Sequence, residues 1–315
     1  MKKLLYMISP FNNSINIPKG FYILKKLLAF IMIFCLSAIL AEGIIIVILL
    51  QLGYNINTGY LPPPETMFLM KLYGYVIFAF NTLLYIRLIE KQKVKASSFI
   101  NNINGYLKGI LIGFILVFIS IGCLVVLGQI RFIGINNEIN IYNLIVLLGA
   151  FIIQGSAEEI LCRGFLLTTI AKRTGLKTAV LVSSLVFMAP HILSLTEGDI
   201  IYAITGIVNL LLISIILSLC ILIENNIWIA CALHSIWNYC LYSICGLSLS
   251  GTGTGYYSTV FCFSVKSENI INGGAYGIEA SVITVFVLLL AVFGLLRYVK
   301  RKNINQKNIL QKIRG

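Results

Sequence analysis

The sequence predicts an all-α, polytopic membrane protein with about eight transmembrane helices. Three observations carry that reading. The 315 residues are 59% hydrophobic and only 11% charged, against roughly 25% charged residues in soluble domains. Apolar runs long enough to cross a bilayer, about 20 residues each, recur along the whole chain. The Lys and Arg residues concentrate in alternate connections, as they do in segments that stay on the cytoplasmic side.

The runs follow in order. They cover about Leu27–Leu52, Leu72–Ile89, Leu107–Leu127, Tyr142–Ile170, Ala179–Leu195, Ile200–Ile223, Ile227–Gly246 and Ile278–Val299. The first contains a weak cleavage-like Ser37-Ala38-Ile39-Leu40-Ala41, but its apolar character continues to Leu52, which favours an uncleaved helix over a signal peptide. The fourth is longer than a span needs and predicts tilting or projection. With a cytoplasmic N-terminus, the inside segments hold Lys2 to Lys26, then Arg87 to Lys108, then Lys172, Arg173 and Lys177, then Arg297 to Arg314. Outside segments hold only Lys71, Arg131 and Lys266. Both termini are therefore expected in the cytoplasm. The net charge of +13 reflects this topology, with attraction to anionic lipid headgroups as a secondary effect. It does not call for nucleic acid.

Residues 1–26 read as a short basic arm, 27–299 as the membrane domain with a core at about 142–246, and 300–315 as a basic tail. The eight cysteines show no paired CxxC spacing and read as small hydrophobes in the packing. No internal repeat is apparent. The longest outside connection, about Leu247–Gly277, carries Gly251-Thr252-Gly253-Thr254-Gly255 and then Gly273-Gly274-Ala275-Tyr276-Gly277-Ile278-Glu279. Its glycines suit tight turns. Glu279, at the expected start of the last helix, would complement the helix dipole, and a role in gating the outer face is the sharper alternative.

Against this background, polar side chains inside apolar runs stand out. The fourth run reads Gly155-Ser156-Ala157-Glu158-Glu159-Ile160-Leu161-Cys162-Arg163. Glu159 and Arg163 are four apart and share a helix face, while Glu158 lies about 100° around the helix. Two carboxylates do not both ionise cheaply in a dry site. Pairing Glu159 with Arg163 leaves Glu158 to face a small wet cavity, as a general base requires. The fifth run contains Phe187-Met188-Ala189-Pro190-His191. Pro190 removes a backbone donor there, and a kink would open a pocket beside His191. The seventh contains His234-Ser235-Ile236-Trp237-Asn238, where His234 and Asn238 point one way and supply N–H donors suited to an oxyanion. A charge at mid-membrane costs roughly 2.5–3.5 kcal/mol on insertion scales. A buried ion pair alone accounts for Glu159 and Arg163 but leaves Glu158, His191, His234 and Asn238 unexplained. Glu42 is read as structural or snorkelling, with pairing to Arg163 as the alternative, and Asn81 and Asn209 as interhelical hydrogen-bonding groups.

Glu-Glu-x-x-x-Arg, Phe-x-x-x-His and His-x-x-x-Asn, in this order on separate helices, resemble the CPBP intramembrane proteases. These are the CAAX prenyl endopeptidases and bacteriocin-processing enzymes, also called the abortive-infection family. The motifs occupy Glu158 to Asn238, and Gly273–Ser281 looks like a segment of some bacterial members. The resemblance implies a metal-independent glutamate protease without cofactor. It assigns Glu158 to activating water with His191 helping to hold it, Glu159 and Arg163 to organising the site, and His234 and Asn238 to the oxyanion. It also implies a membrane-embedded peptide or protein substrate, no nucleic acid, and roles in peptide maturation, bacteriocin self-immunity or regulation. An Ile-, Asn- and Lys-rich composition fits a bacterial plasma membrane. Three other readings stay open: a zinc enzyme using Glu and two His, a proton-coupled transporter, and a non-catalytic immunity or adaptor protein.

Overall fold

The structure is a computed structural model and describes residues 2–55, 58–92, 103–196, 199–252 and 259–302. Gly253, Thr254 and Gly255 of the glycine-rich connection, Lys93 and Lys95, and the basic tail beyond Lys302 lie outside the described residues.

A short α1 (Lys2–Ile8) precedes the long α2 (Lys19–Gln51), which starts where Pro18 ends an extended stretch. A run of prolines sets up α3 (Pro64–Leu88), with Pro64 in the first helical position, where a missing N–H costs nothing. Next comes α4 (Ile103–Val126). The helix that carries the Glu pair, α5 (Ile141–Thr174), is 34 residues long. Asn140 caps its start by accepting from the Asn143 backbone N–H. Gly175, with φ of 98°, turns the chain into α6 (Leu176–His191), and a one-turn α7 (Ile192–Thr196) follows. Asp199 caps α8 (Ile200–Glu224), and Asn225 ends it in the left-handed conformation. Then come α9 (Trp228–Tyr239) and, after a long connection, α10 (Val282–Arg301), capped by Ser281.

Among the described residues, six helices, α2, α3, α4, α5, α8 and α10, are long and apolar enough to cross a membrane. The expected fifth and seventh spans are shorter. Helix α6 has 16 residues, Leu176–His191, and α9 reaches a comparable length only by continuing as a π-helical turn, Cys240–Ile244. The expected start of the last helix at Ile278 is corrected to Val282, because residues 278–280 form a separate 3₁₀ turn. Glu279 therefore sits outside the helix whose dipole it was expected to complement.

The all-α expectation also misses a two-stranded antiparallel sheet. Strand β1 (Ile130–Ile135) pairs with β2 (Phe261–Val265), from Ile130 opposite Val265 to Ile135 opposite Phe261, with a bulge between Phe132 and Gly134. Phe132 packs edge-on against Phe261 and Phe263.

Close packing at the centre depends on glycine. Helix α9 lies against α4 and α5. Gly109 and Gly113 on α4 face it so closely that a Cβ would sit 2.2 Å from the Ile229 carbonyl oxygen and 3.1 Å from that of Leu233, respectively. On the other flank, a Cβ on Gly155 of α5 would meet Ser235 Oγ at 2.7 Å. Small residues four apart let helix backbones touch in lipid, where no hydrophobic force drives helices together.

Three of the basic segments expected to share one side, the first, second and third, converge. Lys26 forms a buried ion pair with Glu90, and Lys108 pairs with Glu224 at 2.7 Å. Arg173 donates to the Ile17 carbonyl, and Lys25 donates to Asn12 and Ser14. The N-terminal arm is thus folded onto the helix ends, and Lys25 and Lys26 are buried within it. At the opposite end, Asn269 donates to Gln129 and joins the connection after α4 to the one before α10. Asn81 bonds Ser37 between α3 and α2 as expected. Asn209 instead holds a turn, donating to the carbonyls of Glu279 and Ser281.

Candidate active site

Glu158 and Glu159 lie near the middle of α5, roughly 25 Å along the helix from either end by a rise of 1.5 Å per residue. Immediately after Glu159 the helix widens into a π-helical stretch, Ile160–Leu167. Helix α9 makes the same change just beyond Asn238. Such turns shift the facing of every later side chain and often accompany functional sites.

The two glutamates have separate environments. Glu159 is fully buried and accepts from Arg163 Nη1 at 2.7 Å. The same oxygen, Oε1, lies 3.0 Å from His234 Nδ1, whereas Oε2 has no hydrogen-bond partner among the described residues. Arg163 Nη2 donates to Ser214 Oγ at 2.6 Å, and that hydroxyl donates on to Ser184. The guanidinium also stacks over Phe187, 4.4 Å from the ring centroid. A buried charge is tolerable when it is paired in this way, although Arg163 Nε, like Glu159 Oε2, finds no partner among the described residues. Glu42 is not a partner: Arg163 is committed to Glu159 and Ser214, and Glu42 is exposed on the outer flank of α2.

Glu158 faces a cavity. Its Oε1 accepts from Gln154 Nε2 at 2.7 Å, and its Oε2 lies 3.8 Å from His234 Nε2. Tyr75 of α3 lines the cavity beside the same carboxylate. Two cavities meet at Glu158, Tyr75, Phe187 and His191. One is walled by Phe30, Phe34 and Phe78. The other runs past His234, Asn238 and Gln154 to Ser250 and Glu279.

His191 stands where α6 tightens into the 3₁₀ turn Ala189–His191 around Pro190, the break its proline predicts. Its Nδ1 is 3.1 Å from the Phe187 carbonyl. A carbonyl only accepts, so Nδ1 carries the proton and Nε2 is left as an acceptor. The Phe187 ring lies between the imidazoles, 5.4 Å from His191 and 5.7 Å from His234. Asn238 Nδ2 donates to Gln154 Oε1 at 2.9 Å. All six motif residues therefore gather around one site. Among the described residues, no three His, Cys, Asp or Glu side chains are grouped as metal ligands.

Residues 140–240 match the family described as Type II CAAX prenyl endopeptidase Rce1-like. The match supports a resemblance of this segment to the CPBP family. It spans about a third of the chain. Comparison with curated proteins and with solved structures gives no match. The family is one of proteases, and with several long apolar helices the chain is an integral membrane protein.

The site recruits groups that the motifs do not name. Gln154 lies one turn before Glu158, and an i,i+4 scan outward from the Glu pair would have found it. Ser184 and Ser214 extend the Arg163 network from α6 and α8. Tyr75 and Glu279 come from outside residues 140–240, and no local pattern connects them to the site.

Proposed function

We propose that the protein is an intramembrane endopeptidase that hydrolyses a peptide bond in a membrane-associated peptide or protein. Glu158 is the general base: it takes a proton from a water that His191 Nε2 helps to hold. The resulting hydroxide attacks the carbonyl carbon, and the oxyanion forms on the side of His234 and Asn238. Glu158 then returns the proton to the leaving amine, so the carboxylate is regenerated. Glu159 and Arg163 hold His234 in place. With Nδ1–H given to Glu159, His234 donates from Nε2 as the imidazolium.

The observation that carries this reading is the split between the glutamates. One is locked into Arg163 and His234, while the other opens onto a cavity that it shares with His191. A register-fixing ion pair needs only the first. We place the site within an eight-span bundle, counting α6 and the extended α9, with both termini cytoplasmic and in a bacterial plasma membrane. The accumulation of basic residues at the converging helix ends supports that orientation. The setting we attach is maturation, self-immunity or regulation of a membrane-associated peptide.

The test uses purified protein in proteoliposomes with a fluorogenic library of membrane-inserted peptides. Cleavage by wild type and none by Glu158→Ala or His191→Ala is the expected result. Wild-type rates in either variant would overturn the proposal, as would loss of all activity on stringent chelation for its metal-independent form.

A further inference from the structure

We infer that Gln154 is a positioning residue that sets the polarity of the Asn238 amide from the charge on Glu158. The inference rests on the proposed role of Glu158 as base. Gln154 lies between the two groups, buried, with Nε2 2.7 Å from Glu158 Oε1 and Oε1 2.9 Å from Asn238 Nδ2.

The orientation of both amides follows from elementary hydrogen-bond chemistry. An ionised carboxylate can only accept, so Gln154 must present its NH₂ to Glu158. Its carbonyl oxygen is then the end that faces Asn238, and only the Asn238 NH₂ can meet it. One N–H of that group is used by Gln154. The second remains as a donor, and the Asn238 carbonyl is turned away. Without Gln154, nothing in the hydrogen-bond network favours this rotamer of Asn238 over the one turned by 180°. The turned amide would present a carbonyl to a developing oxyanion and repel it. Gln154 thus couples the two ends of the reaction path: the charge that activates water also keeps the oxyanion donor facing correctly. It needs no contact with substrate to do so.

Other charged or titratable groups face Glu158 from each packed element. They are Tyr75 on α3, His191 on α6 and His234 on α9, with Glu279 further along the same cavity and Glu159 and Arg163 on α5 itself. All remain in a Gln154 variant, so a changed pH profile reports on position 154.

Gln154→Leu keeps the bulk and removes both bonds. Gln154→Glu keeps the shape and acts like glutamine only while it holds a proton, which it shares with Glu158. On the library peptides, Gln154→Leu is expected to lower kcat by about 100-fold with KM within about threefold, the signature of misplacement rather than lost binding. Gln154→Glu should retain activity at low pH and lose it as the shared proton leaves, giving a descending limb at lower pH than any in wild type. The pH profile tests the contact to Glu158, and kcat of Gln154→Leu tests the hold on Asn238: a glutamine that only fills space would leave that kcat near wild type.

A second measurement needs no substrate. The infrared difference between wild type and Glu158→Gln isolates the Glu158 carboxylate bands, and loss of the Gln154 donor should shift them in Gln154→Leu. The inference is overturned if Gln154→Leu keeps kcat within threefold, if Gln154→Glu keeps the wild-type pH profile, or if the bands do not move. Should Gln154→Leu fail to fold, the isosteric Gln154→Glu decides. Glu158→Ala is run alongside: cleavage by that variant refutes the base assignment itself, whereas an inactive Glu158→Ala beside a fully active Gln154→Leu refutes only the role of Gln154.

Discussion

His234 gives its Nδ1 to Glu159 at 3.0 Å and leaves Nε2 3.8 Å from Glu158. One imidazole therefore spans both carboxylates. Glu159 Oε1 serves His234 and Arg163 together, so removing it strands two donors, one of them a buried cation. Glu159→Ala is expected to destabilise the protein by about 3–5 kcal/mol, the usual cost of leaving half of a buried pair. A thermal melt in detergent checks this. An unchanged melting temperature would mean that Arg163 finds another counter-charge.

Glu158→Gln should behave in the opposite way. Glu158 reaches the cavity, and its nearest basic group, His234 Nε2, stands 3.8 Å away while its Nδ1 stays bonded to Glu159, so the amide fits without stranding a buried guanidinium. The expected result is a melting temperature close to wild type with cleavage lower by 10²–10⁴-fold, roughly the contribution of a positioned base. Parallel collapse of folding and activity would assign Glu158 to the scaffold.

How much of this could be read from the residues depends on the range of the interaction. The six long spans, the pairing of Glu159 with Arg163 and the break at Pro190 are local consequences of apolar length, i,i+4 spacing and a missing donor, whereas the fifth and seventh runs form shorter helices and the last helix starts at Val282 rather than Ile278. The link from His234 to Glu159 is not local, since 75 residues separate them. Sequence reasoning placed His234 beside Asn238 as an oxyanion donor and could not see that Nδ1 was already committed. The π-helical turns after Glu159 and Asn238 also escape any 3.6-residue periodicity. The Gly105, Gly109 and Gly113 spacing on α4 was present in the chain as a close-packing signal, but it lies inside a run whose hydrophobicity alone already predicts a helix.

The approach of α5 to α9 gives a third prediction. A Cβ at position 155 would lie 2.7 Å from Ser235 Oγ and 2.9 Å from its backbone nitrogen. Gly155→Ala must therefore push the helices apart, at a cost of about 1–3 kcal/mol for overpacking. The same displacement carries His234 and Asn238 away from Glu158 and Gln154, so kcat should fall although no catalytic group has changed. Adding Ser235→Gly removes the hydroxyl but not the backbone contact, so it should restore the melting temperature and kcat only in part. Full activity in Gly155→Ala would show that the site tolerates a wider helix gap than the hydrogen-bond distances allow.

The last prediction concerns the outer connection. Glu279 accepts from Trp237 Nε1 at 3.0 Å, from the Ser250 backbone N–H at 2.7 Å and from Ser250 Oγ at 2.9 Å. Ser250 itself is held at a positive φ of 49°, a conformation that costs a non-glycine residue energy and persists only when its surroundings impose it. One carboxylate thus ties the segment around Ser250 to the helix that carries His234 and Asn238. Glu279→Ala should free that segment and leave the Trp237 indole N–H unmatched. A soluble protease added to the outer face should then nick the connection faster, and KM should rise more than kcat falls, because a wall of the cavity has loosened while the bonds around Glu158 persist. Glu279→Gln retains one acceptor oxygen but turns an NH₂ towards donors, so it should fall between wild type and Glu279→Ala. Equal nicking rates in all three proteins would show that the turn at Gly273–Ser281, held by Asn209, is sufficient to fix the connection without the Glu279 carboxylate.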